Sequence, residues 1–311
     1  MGRYGSAGAR HGGPSASSKE ADVAEEQSGG GPTVRRMLLG AQLRRLRIDA
    51  GLSREEAGEA IRASAWKIHR LENGQVSYKD RDIADLVALY GVTDPVEVAM
   101  LITMAREANL PGWWTPYSDL LPQWFRAYVD LEAAAAQIRT YEGQLIPGLL
   151  QTQAYMRALM RSTLSDNRPA EIDRRVRLRL TRQRLLTRDD GPQLWAVMDE
   201  AALRRPVGGP KVLRAQLERL IEATALPRVS LQILPLSAGA HAAMVGAFSI
   251  LRFADQDLPD VIYLEHVTSA QYLDKPEEVE AYAHIMSSVG VRAIPPEQTA
   301  DLLGELLHEL G

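Results

Sequence analysis

The chain has 311 residues, 45% of them hydrophobic and 24% charged, with a net charge of −4, values that suit a folded globular protein with room for two domains. It holds no cysteine, which excludes disulfides, thiolate zinc sites and cysteine nucleophiles. It has no run of 18 apolar residues and no apolar signal core near its start, so no membrane span is expected, and a cytoplasmic, nucleoid-associated location is. The charge is uneven: residues 33–80 carry ten Lys or Arg against six Asp or Glu, or +4, which leaves −8 for the remainder. A basic module joined to an acidic remainder suits a nucleic-acid-binding protein with a separate second domain.

Residues 1–32 are rich in Gly, Ser and Ala and hold too few large apolar groups to offset chain entropy, so a disordered tail is expected there. Five helical patterns follow over 33–110. The first covers 34–50, with Leu39, Leu43 and Leu46 on one stripe and Gly51 as the stop. Ser53, with Glu56 three residues on, predicts a capping box for a second helix that ends near Ile61. Ser64 is placed to cap a third helix that ends at Asn73-Gly74. Asp80 is placed to cap a fourth, with Ile83, Leu86, Val87 and Tyr90 on one face, and Asp94-Pro95 opens a fifth that runs to about Asn109.

The span 111–130 is an aromatic connector with Trp113, Trp114, Tyr117, Trp124, Phe125 and Tyr128. A hydrophobic joint between domains is the stronger reading of it, and an aromatic ligand cage the sharper alternative. From 131 onward the periods are mixed. Residues 131–140 look helical, as do a stretch around Tyr155 and Met156, the Arg-rich span 171–188, and spans 210–224, 277–288 and 296–310. Short alternating or apolar runs at 193–198, 229–234, 248–253 and 261–264 read as strands. The expected fold is therefore a mainly α domain of five helices followed by an α+β domain over 131–311 with a small sheet.

The third helix has the chemistry of a groove reader. The major groove admits one α-helix and presents distinct donor and acceptor patterns along its floor. Ile68 and Leu71 are spaced to face the core, together with Ala57 and Ile61 of the preceding helix. Ser64, Ala65, Trp66, Lys67, His69 and Arg70 are left for phosphates and base edges, with Arg54 available for phosphate or guanine. Lys67 and Arg54 are the preferred contacts. Trp66 has two readings, groove contact or inward packing.

This stretch resembles the Cro/repressor, or XRE, type of helix-turn-helix. The matching residues are Leu39-Gly40, Leu43-Arg44 with Leu46-Arg47, Gly51-Leu52-Ser53, and Ile68 with Arg70-Leu71-Glu72-Asn73-Gly74. It departs from that family at Arg54, where Gln is common, and at Trp66, where a small polar residue is usual. In the helix-turn-helix domains that this stretch resembles, the residue at Arg70 or Glu72 often pairs with an Arg or acid of the first helix, which implies Arg47 as the partner here. The remainder resembles the large C-terminal domain of actinobacterial regulators of the WhiJ type. The residues that carry this are Trp113-Trp114, Tyr141-Glu142, the PGLLQT run at 147–152 with Tyr155, the series Arg174, Arg175, Arg177, Arg179 and Arg182 with Gln183, the DEAALR run at 199–204, Gly239-Ala240-His241 and Tyr263-Leu264-Glu265. The resemblance implies a transcription regulator that works with a small partner protein in an antitoxin-like arrangement.

Three functions follow as expectations. The first is a DNA-binding regulator, a homodimer on double-stranded DNA, whose C-terminal domain binds a small acidic protein, with Arg174, Arg175, Arg179 and Arg182 as the candidate contact face. A solvated face paired with acids of its own domain is the plainer reading of those arginines. The second is a regulator that senses a small molecule through the C-terminal domain. The third is an enzyme with a DNA-binding appendage, for which Asp199, Glu200, His241, Glu265 and His266 are the candidate groups. Their spacing matches no metal-ligand motif, and an acid after a strand more often caps the next helix. No enzyme activity, cofactor or metal is therefore expected. Gly208-Gly209-Pro210 before a helix reads as a turn rather than a phosphate cradle.

Overall fold

The structure, a computed structural model, describes residues 32–163, 168–256 and 258–310. The expected tail at 1–32 lies outside the described residues except for Pro32, which opens the first helix.

Five helices form the N-terminal unit: α1 Pro32–Asp49, α2 Arg54–Ala60, α3 Ala65–Glu72, α4 Asp80–Leu89 and α5 Pro95–Ala108. Their apolar stripes meet in one core of Leu39, Leu43, Ala57, Ile68, Leu71, Ile83, Leu86 and Leu101. The predicted starts of α2, α3 and α5 are seen: Ser53 and Glu56 make the capping box, Ser64 accepts from the Lys67 N–H, and Asp94 accepts from the Val96 N–H. The predicted cap of α4 is not. Lys79 holds that position without a side-chain bond, and Asp80 lies one residue inside the helix, where it pairs with Arg106 at 2.7 Å. Gly40 is where α1 meets α3. A Cβ there would stand 2.5 Å from the Glu72 carbonyl oxygen, so only glycine lets the two backbones touch.

The C-terminal unit is built on a six-stranded mixed sheet of order β3-β2-β1-β4-β5-β6. Its strands are β1 Gln137–Glu142, β2 Gln193–Asp199, β3 Val229–Leu234, β4 Phe248–Arg252, β5 Val261–Glu265 and β6 Ala270–Leu273. β1, β2 and β3 run parallel, and β4, β5 and β6 pair antiparallel. The helices are α6 Gln123–Ala134, α7 Gln153–Thr163, α8 Pro169–Gln183, α9 Glu200–Arg204, α10 Pro210–Thr224, α11 Pro276–Arg292 and α12 Thr299–Glu309. Leu194, Ala196 and Met198 face α6, α7, α10 and α12, while Val197, Ile250 and Ile262 face α11. With both faces covered, the strands read as apolar runs, which is why four of the six are visible in the sequence.

Two strands correct the expectation. The helix expected over 131–140 stops at Ala134, and the chain enters β1, the strand that joins the parallel and antiparallel halves of the sheet. β6 is a four-residue edge strand with no period to reveal it. Gly208 and Gly209 make a left-handed turn before α10, as expected.

The connector is a joint. Trp113 is buried with Leu121, Val129 and Leu178. Asp130 of α6 accepts from the Trp114 indole at 2.7 Å and from the Thr33 hydroxyl of α1 at 2.9 Å, tying the two units together. Val34 of α1 is buried in the C-terminal core.

Candidate functional site

Two sites stand out, one on each unit. On the helix-turn-helix, α3 is held by a buried carboxylate. Glu72 is 4% exposed and accepts from Arg47 Nε at 2.5 Å and from Arg54 Nε at 2.9 Å. Arg47 also donates to the Leu52 carbonyl at 2.6 Å, and its hydrogen bond to Glu72 raises its pKa. The expected link from helix one to this pair is thus made by Glu72, not Arg70. It fixes both the angle of α3 and the start of α2.

The two preferred contact residues are therefore engaged inside the fold. Arg54 lies on Glu72, and Lys67 Nζ is 2.6 Å from Asp82 of α4. Each is only part exposed, and a phosphate must compete with the carboxylate already there. The face left open is different. Trp66 is 64% exposed, so it does not pack inward, and the Arg70 guanidinium lies over its ring at 4.7 Å. Ser64 and Ala65 begin this face, and His69 contacts the Asn73 amide at 3.1 Å. Arg62 was not singled out by sequence. It is exposed in the turn between α2 and α3 at φ +54°, a backbone conformation that favours glycine.

On the C-terminal unit, a cavity of about 990 Å³ opens at the carboxyl ends of β1 and β2. Tyr141, Glu142, Asp199, Phe248, Tyr263 and Glu265 line it from the sheet, Phe125 and Tyr128 from α6, and Arg179 and Arg182 from α8. The loop carrying His241 covers one side. Its Nε2 is 3.6 Å from Asp199 and 3.4 Å from the Tyr141 hydroxyl, and its Nδ1 is buried without a hydrogen-bond partner.

The α8 arginines do not form one exposed face. Arg182 is buried and donates to Glu132 at 2.6 and 2.7 Å, lying against the Phe125 and Tyr128 rings. Burial works against its charge, and Glu132 more than offsets that, so its pKa is raised. Arg182 is out of reach of any protein partner. Arg179 turns into the cavity and donates to Gln151 at 2.6 Å; burial pushes its pKa down to about 10. Arg174 holds Asp119 at 2.6 and 2.7 Å, and Arg175 holds Glu171 at 2.8 Å, both closer to the surface. Pairing with acids of its own domain was the plainer expectation: Arg175 and Arg182 follow it, Arg182 in a buried pair, while Arg174 pairs with Asp119 of the connector.

Of the five enzyme candidates, Asp199, His241, Glu265 and His266 line the cavity and Glu200 does not. Glu200 accepts from the Leu236 N–H and from Arg204, away from the cavity, and Asp199 caps α9 through the Ala201 N–H. Glu142 carries chemistry that sequence reasoning missed. Among the described residues its carboxyl makes no hydrogen bond or ion pair, and burial, with Glu265 beside it, pushes its pKa up to about 8. The Tyr141-Glu142 pair was visible as a motif, but its strand was not.

The class that these sites define is a helix-turn-helix DNA-binding protein carrying an α+β domain with a cavity. Residues 38–101 match a helix-turn-helix domain family, which fits an XRE-like regulator. Residues 125–305, more than half of the chain, match a domain of unknown function, DUF5753, and the chain belongs to that family. No curated protein and no solved structure matches it. Among the described residues no helix is long and apolar enough to cross a membrane.

Proposed function

We propose that this DNA-binding regulator reads a specific operator with α3 and that the cavity takes a small effector which alters that reading. The observation that carries it is the exposed Trp66–Arg70 edge on a helix whose other face is locked by Glu72. In this reading Trp66 meets a thymine methyl or sugar, and Arg70, Ser64, Ala65 and His69 reach base edges or nearby phosphates. Arg62, Arg54 and Lys67 approach the backbone, the last two by exchanging a carboxylate for a phosphate. One helix reads few base pairs, so two copies on two half-sites are expected.

Binding by the C-terminal domain, rather than catalysis, suits the structural tasks of Asp199 and Glu200, which cap and brace α9. Control by a small acidic partner protein, as in the WhiJ-type, antitoxin-like arrangement, is a second reading. It rests on Arg174 and Arg175, the two of the four arginines nearer the surface. Sequencing DNA fragments retained by the full chain tests the first step. Enrichment of one motif, lost in Trp66→Ala with Arg70→Ala, is expected. Retention without any motif would overturn sequence-specific reading. A small protein co-purifying with the chain and lost in Arg174→Ala would favour the second mode of control.

A further inference from the structure

The charges inside the cavity are not matched. Three carboxylates face it, from Glu142, Glu265 and Asp199, against the guanidiniums of Arg179 and Arg182. Arg182 is already neutralised from behind by Glu132, and Arg179 donates to the Gln151 amide, with Glu265 the carboxylate that most favours its charge. Asp199 is occupied by the α9 cap and His241, and Glu265 accepts from the Tyr263 hydroxyl at 3.0 Å. Glu142 alone of these three acids has no partner, so burial and Glu265 oppose its charge and no cation stands beside it to favour it.

The walls are aromatic. Tyr128 and Tyr263 stack with ring centroids 4.1 Å apart, and Tyr141 and Phe248 stand 6.1 Å apart beyond them. Tyr128 is stacked on Phe125 as well as on Tyr263, so these rings form one packed wall, and such a wall beside carboxylates suits an amine carried on an apolar body. At the rim, Leu236, Met244 and Val245 are 57%, 66% and 92% exposed, large apolar groups left against water where a bound apolar body would cover them. His241, with its unpartnered Nδ1 and a side chain 4% exposed, supplies a further polar atom on the same wall.

We infer that the cavity binds a small organic cation, a protonated amine on an apolar, ring-bearing body, with its nitrogen between Glu142 and Glu265 and its ring against Tyr128 and Tyr263. Arg179 remains as a fixed donor for an acceptor elsewhere on the same molecule. This rests on the reading of the cavity as an effector site. The nitrogen brings a proton balance with it. Empty at pH 7, the cavity keeps Glu142 protonated, because burial and Glu265 oppose its charge. The other groups facing it are Asp199 from β2, His241 and His266 from loops, and Arg179 and Arg182 from α8. An ammonium arriving beside Glu142 reverses the balance, and the carboxyl releases its proton.

The test uses the full chain, phenethylamine as the probe and 3-phenylpropanoate as a control of the same size and opposite charge. Calorimetric titration at pH 7 in two buffers of different ionisation enthalpy should show saturable amine binding with proton release, and no binding of the acid. Glu142→Gln, checked for an unchanged unfolding transition, should weaken the amine about tenfold. If that variant does not fold, the amine–acid comparison on the unaltered chain still decides. No saturable amine binding, acid binding as tight as amine binding, or a folded Glu142→Gln chain that binds the amine equally well would overturn the inference. Retention of the selected DNA fragment, measured with each probe, separates the two levels. Acid binding that changes DNA retention overturns the cation and leaves the effector reading. Amine binding that leaves retention unchanged upholds the cation and removes the effector role.

Discussion

On the helix-turn-helix, Glu72 and Asp82 each lie against a basic side chain, and the edge left for recognition is an aromatic ring under a guanidinium. In the C-terminal cavity, Glu142 lies against no partner and Arg179 against an uncharged amide. The first arrangement fixes the angle of α3 against α1 in advance. The second leaves the Glu142 carboxyl without a counter-charge, so that it holds its proton, and an incoming cation can reverse that balance. Rigidity is concentrated on the helix-turn-helix, and the carboxyl without a partner lies in the cavity.

The largest expected effect tests the rigid half. Glu72→Ala leaves Arg47 buried without its carboxylate, which should cost about 3–5 kcal/mol in denaturant unfolding and abolish operator binding. The matching change in the other unit, Glu132→Ala, strands Arg182 in the same way and should cost about as much. A loss under about 1 kcal/mol in Glu72→Ala would mean that water reaches Arg47 and that the lock is not what orients α3.

The next effect belongs to the cavity and appears as a pH dependence. The Glu142 pKa is raised from an ordinary 4.5 to about 8 in the folded chain. The folded state therefore holds a proton that the unfolded state gives up, and stability falls as pH rises from about 4.5 to about 8. Glu142→Gln should remove that contribution and stabilise the chain by up to about 4 kcal/mol at pH 8 while changing little at pH 4. An identical pH profile for the two chains would show that Glu142 is solvated and charged, and the contrast between the two regions would fail.

Trp66→Ala should leave the unfolding free energy within about 0.5 kcal/mol, because the ring is mostly exposed. Operator affinity should fall about tenfold, with the preference at one or two base positions relaxed. A large loss of stability instead would place Trp66 in the packing and return the reading to Lys67 and Arg54.

How much of this was legible follows the range of the interactions. The caps at Ser53, Ser64 and Asp94 are local, and sequence alone located them. The apolar stripe of Leu39 and Leu43 was legible for the same reason. The engagement of Lys67 was not, because Asp82 comes from another helix, 15 residues away. β1 was hidden by its surroundings. The alanines at 133–136 favour helix locally, yet Gln137 to Glu142 pair with β2 on one side and β4 on the other, and that pairing outweighs propensity. Glu142 was lost with its strand, since its place at the strand's end is what turns it into the cavity. The cavity itself is assembled from segments between Phe125 and Ile285, a distance no spacing rule covers.

The smallest effect concerns the one described residue other than glycine with positive φ. Arg62 sits at φ +54° in the turn that leads into α3. A side chain in that conformation costs roughly 1–2 kcal/mol, and glycine there recovers it while giving back about 0.5–1 kcal/mol in chain entropy. Arg62→Gly should therefore stabilise the chain by about 0.5 kcal/mol or leave it unchanged. The turn places the Arg62 charge two residues before Ser64, the cap of α3. If it meets a phosphate, Arg62→Gly should lower the salt slope of operator binding by about 1 and weaken all sequences alike. An unchanged slope with the expected gain in stability would remove Arg62 from the reading surface. The Trp66–Arg70 edge would then face the groove without that backbone anchor.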